Sequence, residues 1–406
     1  MSIISTIKFV VEAPVSLLMP LFHLQEPTGP YKVGTTTYDW TDTSRPEEKC
    51  NRVDAKRELM VQVWYPAENT ENLKEAPYLK DTPEIIRGLE KYFFIKPFLL
   101  RRLKDVQSNS FINAKLSSKS DKYPVLIFSH GMAGFRNQNT FQAEELASHG
   151  YIVVAVDHSY YAAATVFSDG RVAESIISTD VKSNDFTLEF GDKNNETWVK
   201  DIQFVLDKLE EINNKGNDNL FSGRFDMEKI GLFGHSFGGA TVAQLLLKDS
   251  RVKAGINMDG AFYGSVIPET GIEKPFLLML SEQYMMSTDL EKLEKKLKMF
   301  GIKGEKLKEY LELYAEYERR RKKAMAGGAY SLIIKKTTHL SYSDIYLYTP
   351  LMAIIHKPKK IHKVINDLSL TFFNKYLKEE STASLENVAH KYNNVELGET
   401  KEKLVF

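Results

Sequence analysis

A series of continuous apolar runs between residues 121 and 334 limits the fold of this chain more than any other feature. Helical patterns separate most of these runs, as where Trp198, Ile202, Val205 and Leu209 recur at helical spacing. Strands that are apolar on both faces must be buried on both, and the connections between such parallel strands are helices. The pattern predicts an α/β fold with a mostly parallel central sheet flanked by helices. The predicted strands are residues 125–128, 152–156, 230–233, 254–258, 276–280 and 332–334.

The remaining segments follow other patterns. Residues 31–37 and 59–65 alternate apolar and polar side chains, which predicts antiparallel edge strands. Residues 83–115 form a long amphipathic connection that we expect to be helical. Residues 287–328 carry two apolar stripes separated by glycines, so we expect a helical hairpin, or cap, inserted between two strands. Residues 379–406 form a polar tail that we expect to be loosely held.

The first 26 residues are the most apolar part of the chain. Two charges, Lys8 and Glu12, and two prolines, Pro14 and Pro20, interrupt them too often for a comfortable membrane span. The segment is expected either to pack on the domain or to lie on a membrane surface. It lacks the basic front and cleavage site of a secretory signal. We therefore expect a cytoplasmic protein, with peripheral membrane contact through this segment or the cap as the associated hypothesis.

Composition excludes several functions. Lys and Arg number 54, as do Asp and Glu, whereas a dedicated nucleic-acid binder needs excess positive charge. The single cysteine, Cys50, permits neither an intrachain disulfide nor a multi-cysteine metal site. Nucleotide-binding glycine motifs and the H-E-x-x-H zinc motif do not stand out. The sequence predicts no cofactor, no metal and no nucleic-acid partner, and it indicates no particular oligomeric state.

The strongest chemical signal is the stretch GHSFG at 234–238. It matches the G-x-S-x-G pattern in the required context, because a predicted buried strand precedes it and a predicted helix follows it. Gly234, Gly238 and Gly239 would let the chain turn sharply around Ser236 and lift its hydroxyl clear of the backbone, with His235 preceding the serine in the elbow. We therefore predict a nucleophile elbow with Ser236 as the nucleophile.

A serine nucleophile needs a base, which in hydrolases with this motif follows the serine in the chain. His339 comes just after the predicted strand 332–334, where such sheets deliver catalytic loops. His356 and His362 lie among lysines, a setting that we expect to be exposed, and His390 lies in the polar tail. His339 is the predicted base.

The acid that orients the base should lie between serine and histidine at another strand end. Asp259 ends one predicted strand and precedes a glycine, while Glu282 follows the next strand. Asp259 is preferred and Glu282 is the alternative. Oxyanion donors are also needed, and the backbone N–H groups of Phe237 and Met132 are the candidates. Met132 follows the turn SHG at 129–131, in which we expect His130 to be structural.

Five stretches deserve comparison: TGPYKVG at 28–34, WYP at 64–66, VLIFSHG at 125–131, ASHG at 147–150 and GHSFGGA at 234–240. Together they resemble the platelet-activating factor acetylhydrolases of the plasma and isoform II type. The similarity runs from about residue 27 to 377. It implies an α/β-hydrolase fold, no metal, and cleavage of short or oxidised acyl chains from phospholipids. It also implies roles for five residues: Ser236 as nucleophile, Asp259 as acid, His339 as base, and Met132 and Phe237 as oxyanion donors.

The insertion at 287–328 departs from the family pattern because it is longer than expected, and we expect it to overhang the site. The sequence thus indicates one α/β-hydrolase domain, residues 27–378, that acts as a serine esterase on an ester or lipid substrate. The same-class alternative is a general carboxylesterase or polyester hydrolase. The alternative of another class is an inactive hydrolase scaffold used for binding.

Overall fold

The computed structural model describes residues 22–93, 97–177, 187–215, 220–299 and 301–398. Its N-terminal half begins with strands that belong to a larger sheet, and the first two of them are long and antiparallel. The second strand pairs with the first on one side and with a strand of the parallel region on the other. These strands are β1 (Lys32–Pro46), β2 (Lys56–Glu68), β3 (Glu75–Pro77), β4 (Gln107–Ile112) and β5 (Lys115–Leu116).

Six parallel strands form the centre of the sheet and confirm the six predicted apolar runs. They are β6 (Tyr123–Ser129), β7 (Ile152–Asp157), β10 (Phe225–His235), β11 (Val252–Met258), β12 (Phe276–Ser281) and β13 (Tyr330–Ile334). A small separate ribbon, β8 (Ala164–Val166) and β9 (Val172–Glu174), follows β7. The spatial order β7-β6-β10-β11-β12-β13 reverses direction between β6 and β10. Ligands bind at the carboxyl ends of the strands beside such a reversal.

Helices cover both faces of this sheet. One face packs against α4 (Leu188–Asn214) and α5 (Phe237–Lys248), and the other packs against α3 (Thr140–Ser148) and α10 (Pro358–Tyr376). Ile202 is buried in the core of the first face and Phe372 in that of the second. Each such side chain contributes about 1.5–3 kcal/mol by leaving water. The mostly parallel sheet flanked by helices is therefore confirmed.

The connection between residues 83 and 115 is helical only in its first part. It forms α1 (Thr82–Phe93), α2 (Pro97–Leu100) and a short 3-10 turn at Arg101–Asp105. The helical prediction is wrong for Gln107–Ile112, which is β4, parallel to β1. Alternate residues of β4 are buried, as a strand on a sheet requires. Because β4 covers β1, the expectation that β1 and β2 are edge strands is also wrong.

The described segment between β12 and β13 contains three helices, of which the last two lie within the predicted insertion 287–328. They are α6 (Glu282–Thr288), α7 (Leu290–Met299) and α8 (Gly304–Met325). The expected hairpin corresponds to α7 and α8, whose Leu293, Leu297 and Leu307 form a small apolar cluster of their own. Gly301 and Gly304 have φ values of +79° and +61°, which is why the turn between the two helices requires glycine.

The polar tail is held more firmly than the sequence predicts. A short helix, α11 (Leu385–Ala389), buries Leu385 in the core, and β14 (Val395–Leu397) pairs antiparallel with β13. The expectation of a loose tail is wrong for these residues, since β14 covers backbone groups that would otherwise be unpaired at the edge of β13. The division into residues 1–26, 27–378 and 379–406 stays a prediction.

Most of the apolar front, residues 1–21, lies outside the described residues. Its end packs on the body: Leu24 is buried beside α1, and the ring of Phe22 contacts Tyr78 and Tyr348. Over the described part of the chain, we find no helix with the length and apolar character needed to cross a membrane. A last short helix near this end of the molecule, α9 (Pro350–His356), buries none of its residues.

Candidate active site

The sharp turn between β10 and α5 carries Ser236. Its backbone lies in a strained region, with φ +55° and ψ −119°. A Cβ on Gly234 would lie 2.3 Å from the carbonyl oxygen of Gly238, and one on Gly238 would lie 2.0 Å from that of Ser129. Only glycine fits at these two positions. The turn places the Ser236 hydroxyl at the N-terminus of α5, where the helix dipole favours negative charge.

His339 lies directly after β13 in the turn His339–Tyr342 and reaches Ser236. Its Nε2 is 2.9 Å from the Ser236 Oγ, and its Nδ1 is 2.8 Å from Oδ2 of Asp259. Because an ionised carboxylate can only accept, Nδ1 carries the proton and Nε2 is free to accept from the hydroxyl. The His339 side chain is 41% exposed, whereas that of Asp259 is 1% exposed. The imidazole is therefore accessible while its partner is shielded from water.

Asp259 is fixed at the end of β11 by several hydrogen bonds. Its φ is +58°, and its N–H donates to the Met279 carbonyl at 2.8 Å. Asn257 closes the turn by accepting from the N–H of Gly260 at 2.8 Å. Ser281 donates to both carboxylate oxygens, from its N–H at 2.7 Å and from its hydroxyl at 2.9 Å. These bonds leave the carboxylate one orientation, toward His339.

Glu282, the alternative acid, has a different partner. Its Oε2 accepts from the backbone N–H of Lys336 at 3.1 Å, and the residue begins α6. The structure thus brings Asp259, and not Glu282, to His339. The sequence favoured Asp259 and kept Glu282 as the alternative, and the resemblance favoured the same residue.

The other candidate histidines have structural contacts. His362 is buried, stacks on Phe141 and donates from Nε2 to the Ser343 carbonyl at 3.1 Å. Its expected exposure is therefore wrong, because it lies on the face of α10 that packs against α3. His356 stacks on Tyr346 and is half-buried. His390 follows α11 in the tail.

The two predicted oxyanion donors lie on either side of Ser236. Phe237 is the first residue of α5, so its N–H belongs to the unpaired first turn of the helix. Met132 follows the turn after β6, where a Cβ on Gly131 would lie 3.2 Å from the Ser236 Cβ. His130 donates from Nδ1 to the Gly131 carbonyl at 2.7 Å and accepts the His158 N–H at Nε2. His130 therefore shapes this turn.

A cavity of about 70 Å³ opens at Ser236. Besides Ser236 and His339, its walls are mostly apolar, and the sequence pointed to few of them. Leu89 comes from the helix α1, which the sequence predicted as amphipathic, and Met132 was predicted as an oxyanion donor. The other main apolar wall residues are Phe135, Leu340, Ile345 and Tyr348.

Comparison with known proteins identifies the family. The model of the family described as platelet-activating factor acetylhydrolase, isoform II, matches residues 20–394. The chain belongs to this family. A platelet-activating factor acetylhydrolase from Cavia porcellus is 29% identical over 305 residues, 68% of this chain and 66% of the relative. A probable 1-alkyl-2-acetylglycerophosphocholine esterase from Arthroderma benhamiae is 28% identical over 273 residues, 65% of each chain. The match thus spans about two thirds of these relatives.

Among solved structures, the chain is similar to a ferulic acid esterase from Streptomyces cinnamoneus. The TM-score is 0.69 at 24% identity, over 93% of this chain and 99% of the other. This likeness supports the α/β-hydrolase fold. The fold class expected from the sequence and from the acetylhydrolase resemblance is therefore confirmed.

In this acetylhydrolase-family chain the cap lies beside the site. The Tyr317 hydroxyl on α8 hydrogen-bonds that of Tyr263 at 2.6 Å, and the Tyr263 ring packs against Phe237. Arg320 forms an ion pair with Asp192 at 2.6 Å. Among the described residues lining the cavity, none comes from 287–328. The expected overhang is therefore not seen at the cavity, and within the described part of the chain the cap contacts the site through Tyr263.

A second Ser-His-Asp arrangement, absent from the sequence interpretation, lies behind the first. The Ser129 Oγ is 3.0 Å from Nε2 of His158, and Nδ1 of His158 is 2.9 Å from Asp201. All three residues are buried, and Arg57 holds Asp201 with two hydrogen bonds. Burial lowers the pKa of His158 to about 3, so this imidazole is neutral. Because all three side chains are buried away from the cavity at Ser236, this arrangement braces the carboxyl end of β6.

Proposed function

We propose that this chain is a serine ester hydrolase that acts through an acyl-enzyme on phospholipid-like esters with short or oxidised acyl chains. The observation that carries the proposal is the continuous contact from Ser236 through His339 to Asp259 at the carboxyl ends of the parallel strands. Membership of the acetylhydrolase family supports the same chemistry. The relatives named above are described as acetylhydrolases and esterases of this type.

The mechanism follows from the proton positions. Nε2 of His339 takes the proton of Ser236 as Oγ attacks the ester carbonyl, and the imidazolium is stabilised by Asp259. The N–H groups of Met132 and Phe237 stabilise the oxyanion of the tetrahedral intermediate. The imidazolium then protonates the leaving alcohol, which leaves an acyl group on Ser236. A water activated by His339 attacks that acyl group, and the acid is released.

The size of the cavity supports a short acyl group. A space of about 70 Å³ accommodates only the smaller part of an ester, and its apolar walls suit a hydrocarbon chain. The larger alcohol part then points to solvent. Replacing Leu89 by Ala removes one wall, so the ratio of hexanoyl to acetyl hydrolysis should rise about tenfold. Leu99, which packs near Leu89 without lining the cavity, gives the control L99A. An unchanged ratio in L89A would show that this cavity does not select the acyl chain.

The two serines provide a matched test of the nucleophile. S236A should reduce hydrolysis of p-nitrophenyl acetate by several orders of magnitude, while S129A should retain most of it. A fluorophosphonate label should attach to Ser236 alone. Labelling at another serine, or full activity of S236A, would contradict the assignment. Titration with the same label would also decide against an inactive scaffold used for binding, which should not react.

The choice between lipid and soluble esters needs a direct comparison. An oxidised phospholipid should be hydrolysed with a kcat/KM at least tenfold above that of a soluble ester with the same acyl group. Equal values would favour the general carboxylesterase, and release of acid from a polyester film would favour the polymer hydrolase. The larger alcohol part distinguishes these substrates, since all three share the reacting ester.

Peripheral membrane contact is proposed here through α9 rather than through the cap. Leu351, Ile354 and Ile355 on α9 are 54%, 71% and 59% exposed, although exposed apolar clusters are costly in water. Three exposed lysines, at 357, 359 and 360, follow them and suit an anionic lipid surface. In the cap, by contrast, Arg319, Arg320, Arg321 and Lys323 all form ion pairs.

Vesicle binding separates these surfaces. I354E should weaken sedimentation with phosphatidylserine vesicles at least tenfold, whereas M299E on the cap should not change it. Met299 is 85% exposed and serves as the matched apolar control. Loss of binding in M299E but not in I354E would restore the cap hypothesis. If neither variant loses vesicle binding, the apolar front, residues 1–26, becomes the candidate for membrane contact. The cytoplasmic location stays a prediction, for which cell fractionation is the measurement.

A further inference from the structure

Gln138 connects the oxyanion turn to the elbow. Its Oε1 accepts the N–H of Gly131 at 3.1 Å, and its Nε2 is 2.8 Å from Nδ1 of His235. The second proton of the same Nε2 goes to the Asn139 side chain at 3.1 Å. Every polar position of this buried amide is therefore used. The bond to Gly131 also explains why the next N–H, that of Met132, is the one left for an oxyanion.

His235 continues this connection to the loop of the proposed base. Its Nε2 is 2.8 Å from the backbone carbonyl oxygen of His339, and the two imidazole rings lie 4.6 Å apart. The N–H of His339 is held from the other side by Oε1 of Gln283 at 3.3 Å. The backbone of His339 is therefore fixed on both sides of its side chain.

The two ends of this chain of bonds set its direction. The Gly131 N–H can only donate and the His339 carbonyl can only accept. The Gln138 oxygen must therefore face Gly131, its nitrogen must face His235, and His235 must carry its single proton on Nε2. Burial lowers the pKa of His235 well below the ordinary value, in keeping with a neutral ring.

The surrounding backbone is shaped to receive the Gln138 amide. A Cβ on Gly134 would lie 2.0 Å from Oε1 of Gln138, so a side chain there would displace the amide. The backbone of Gln138 is held as well, because its N–H donates to Phe135 at 2.9 Å and its carbonyl accepts from Asp344 at 2.9 Å. The amide is thus fixed by contacts at both ends of the residue.

We propose that Gln138 and His235 are positioning residues that hold the oxyanion turn and the His339 loop in register with Ser236. The kinetic consequence of this inference rests on the proposed function, whereas the hydrogen-bond arrangement itself does not. It assigns to His235 a role in G-x-S-x-G beyond turning the chain. The hydrogen bonds that run in one direction from Gly131 through Gln138 and His235 to His339 are here called the relay.

Kinetics test the relay by removing each member. Q138L should lower kcat about 10- to 100-fold with KM changed less than twofold, since a displacement near 1 Å has such effects. Q62L is the matched control, because Gln62 is similarly buried but bonds Thr35 and Asn137 outside the relay. It should retain kcat. The double variant Q138L/H235L should lose no more than the worse single variant, because the two act as one unit.

The conservative variant H235Q separates polarity from packing. A glutamine amide can donate to His339 and accept from Gln138, as the neutral ring does, so H235Q should retain at least tenfold more kcat than H235L. Equal losses in H235Q and H235L would overturn the relay, as would wild-type kcat in Q138L. Additive losses in the double variant would overturn it too.

Nitrogen-15 NMR of histidine-labelled wild-type protein tests the structure without any turnover. The signals that disappear in H235Q belong to His235. In the wild type these signals should show the Nε2–H tautomer and should not titrate between pH 5 and pH 9. In Q138L the same signals should shift toward exchange between tautomers, and in Q62L they should not. An Nδ1–H tautomer in the wild type would overturn the inference. If hydrolysis is absent while these signals are as expected, the proposed function fails and the relay stands.

Discussion

Ser281 holds both carboxylate oxygens of Asp259, with its N–H 2.7 Å from Oδ1 and its hydroxyl 2.9 Å from Oδ2. The same hydroxyl accepts the N–H of Tyr284 at 3.0 Å and so caps α6, the first helix of the insertion. One side chain therefore connects the proposed acid to the base of the cap. The strand end of β12 contributes to the site although it supplies no residue to the triad.

Replacing Ser281 by Ala should loosen the Asp259 carboxylate. We expect kcat for p-nitrophenyl acetate to fall about tenfold with little change in KM, because a misoriented acid holds His339 less well. Loss of the helix cap should also lower the free energy of unfolding by about 1 kcal/mol. S281T keeps the hydroxyl and should retain most of kcat. A fully active S281A would show that the backbone N–H suffices.

Substitutions of Asp259 and of Glu282 should differ strongly in their effect on kcat. D259N should lower kcat about 10⁴-fold, because an amide N–H facing Nδ1 stabilises the wrong tautomer of His339. E282Q, whose amide oxygen can still accept from the Lys336 backbone N–H, should stay within about twofold of the wild type. Steady-state kinetics with a short-chain ester measure both. The reverse ranking would restore Glu282 as the acid.

Glu144 should make stability depend on pH. Burial is the main cause that raises its pKa to about 7 from the ordinary 4.5, even though Asn109 and Ser110 hydrogen-bond it. The folded state thus holds the proton more tightly, so this contribution is full below pH 4.5 and is lost as pH rises through 7. Relative to E144Q, the wild type should lose about 2–3 kcal/mol of unfolding free energy between pH 5 and pH 8.

Urea unfolding at a series of pH values measures this difference. The neighbouring Glu145 is the control, since hydrogen bonds from His149 and Thr28 lower its pKa against the opposing effect of burial. Its contribution is present above pH 4.5 and is lost as pH falls, so E145Q should show the opposite slope relative to the wild type. Parallel curves for the wild type and E144Q would contradict the shift at Glu144.

The buried pair of Arg57 and Asp201 should matter to stability. The Arg57 Nε and a terminal nitrogen lie 3.0 and 2.6 Å from the carboxylate oxygens, and both residues are buried. D201N leaves the guanidinium without a full counter-charge, which should cost about 3–5 kcal/mol in urea unfolding. D207N, which removes an exposed partner of Arg251, should cost less than about 1 kcal/mol. Similar costs for the two variants would contradict this role.

The sequence alone identified the features that depend on local pattern. Apolar runs gave the six parallel strands because burial on both faces leaves a continuous signal. The glycines around Ser236 gave the elbow because a sharp turn restricts residue type at fixed positions. Chain order and strand ends then led to His339, which the structure places 2.9 Å from Ser236.

Features that depend on distant contacts required the tertiary structure. β4 is a strand because β1 lies beside it, and its residues at 107–112 carry no strong pattern of their own. His362 is buried because α10 turns that face toward α3, whereas its lysine neighbours suggested exposure. Strand ends also placed two carboxylates near the site, and only the register of β11 and β12 brings Asp259 to His339.

The sequence by itself therefore determined the fold class and the residues available for catalysis, because periodicity and turn chemistry are written in neighbouring residues. The tertiary structure decided which acid faces the histidine and which of two Ser-His-Asp arrangements opens to solvent. It also decided that Gln138 and Leu89 reach the site. The physical reason is that hydrogen-bond geometry and burial arise between segments far apart in the chain, and these become neighbours only when the core packs.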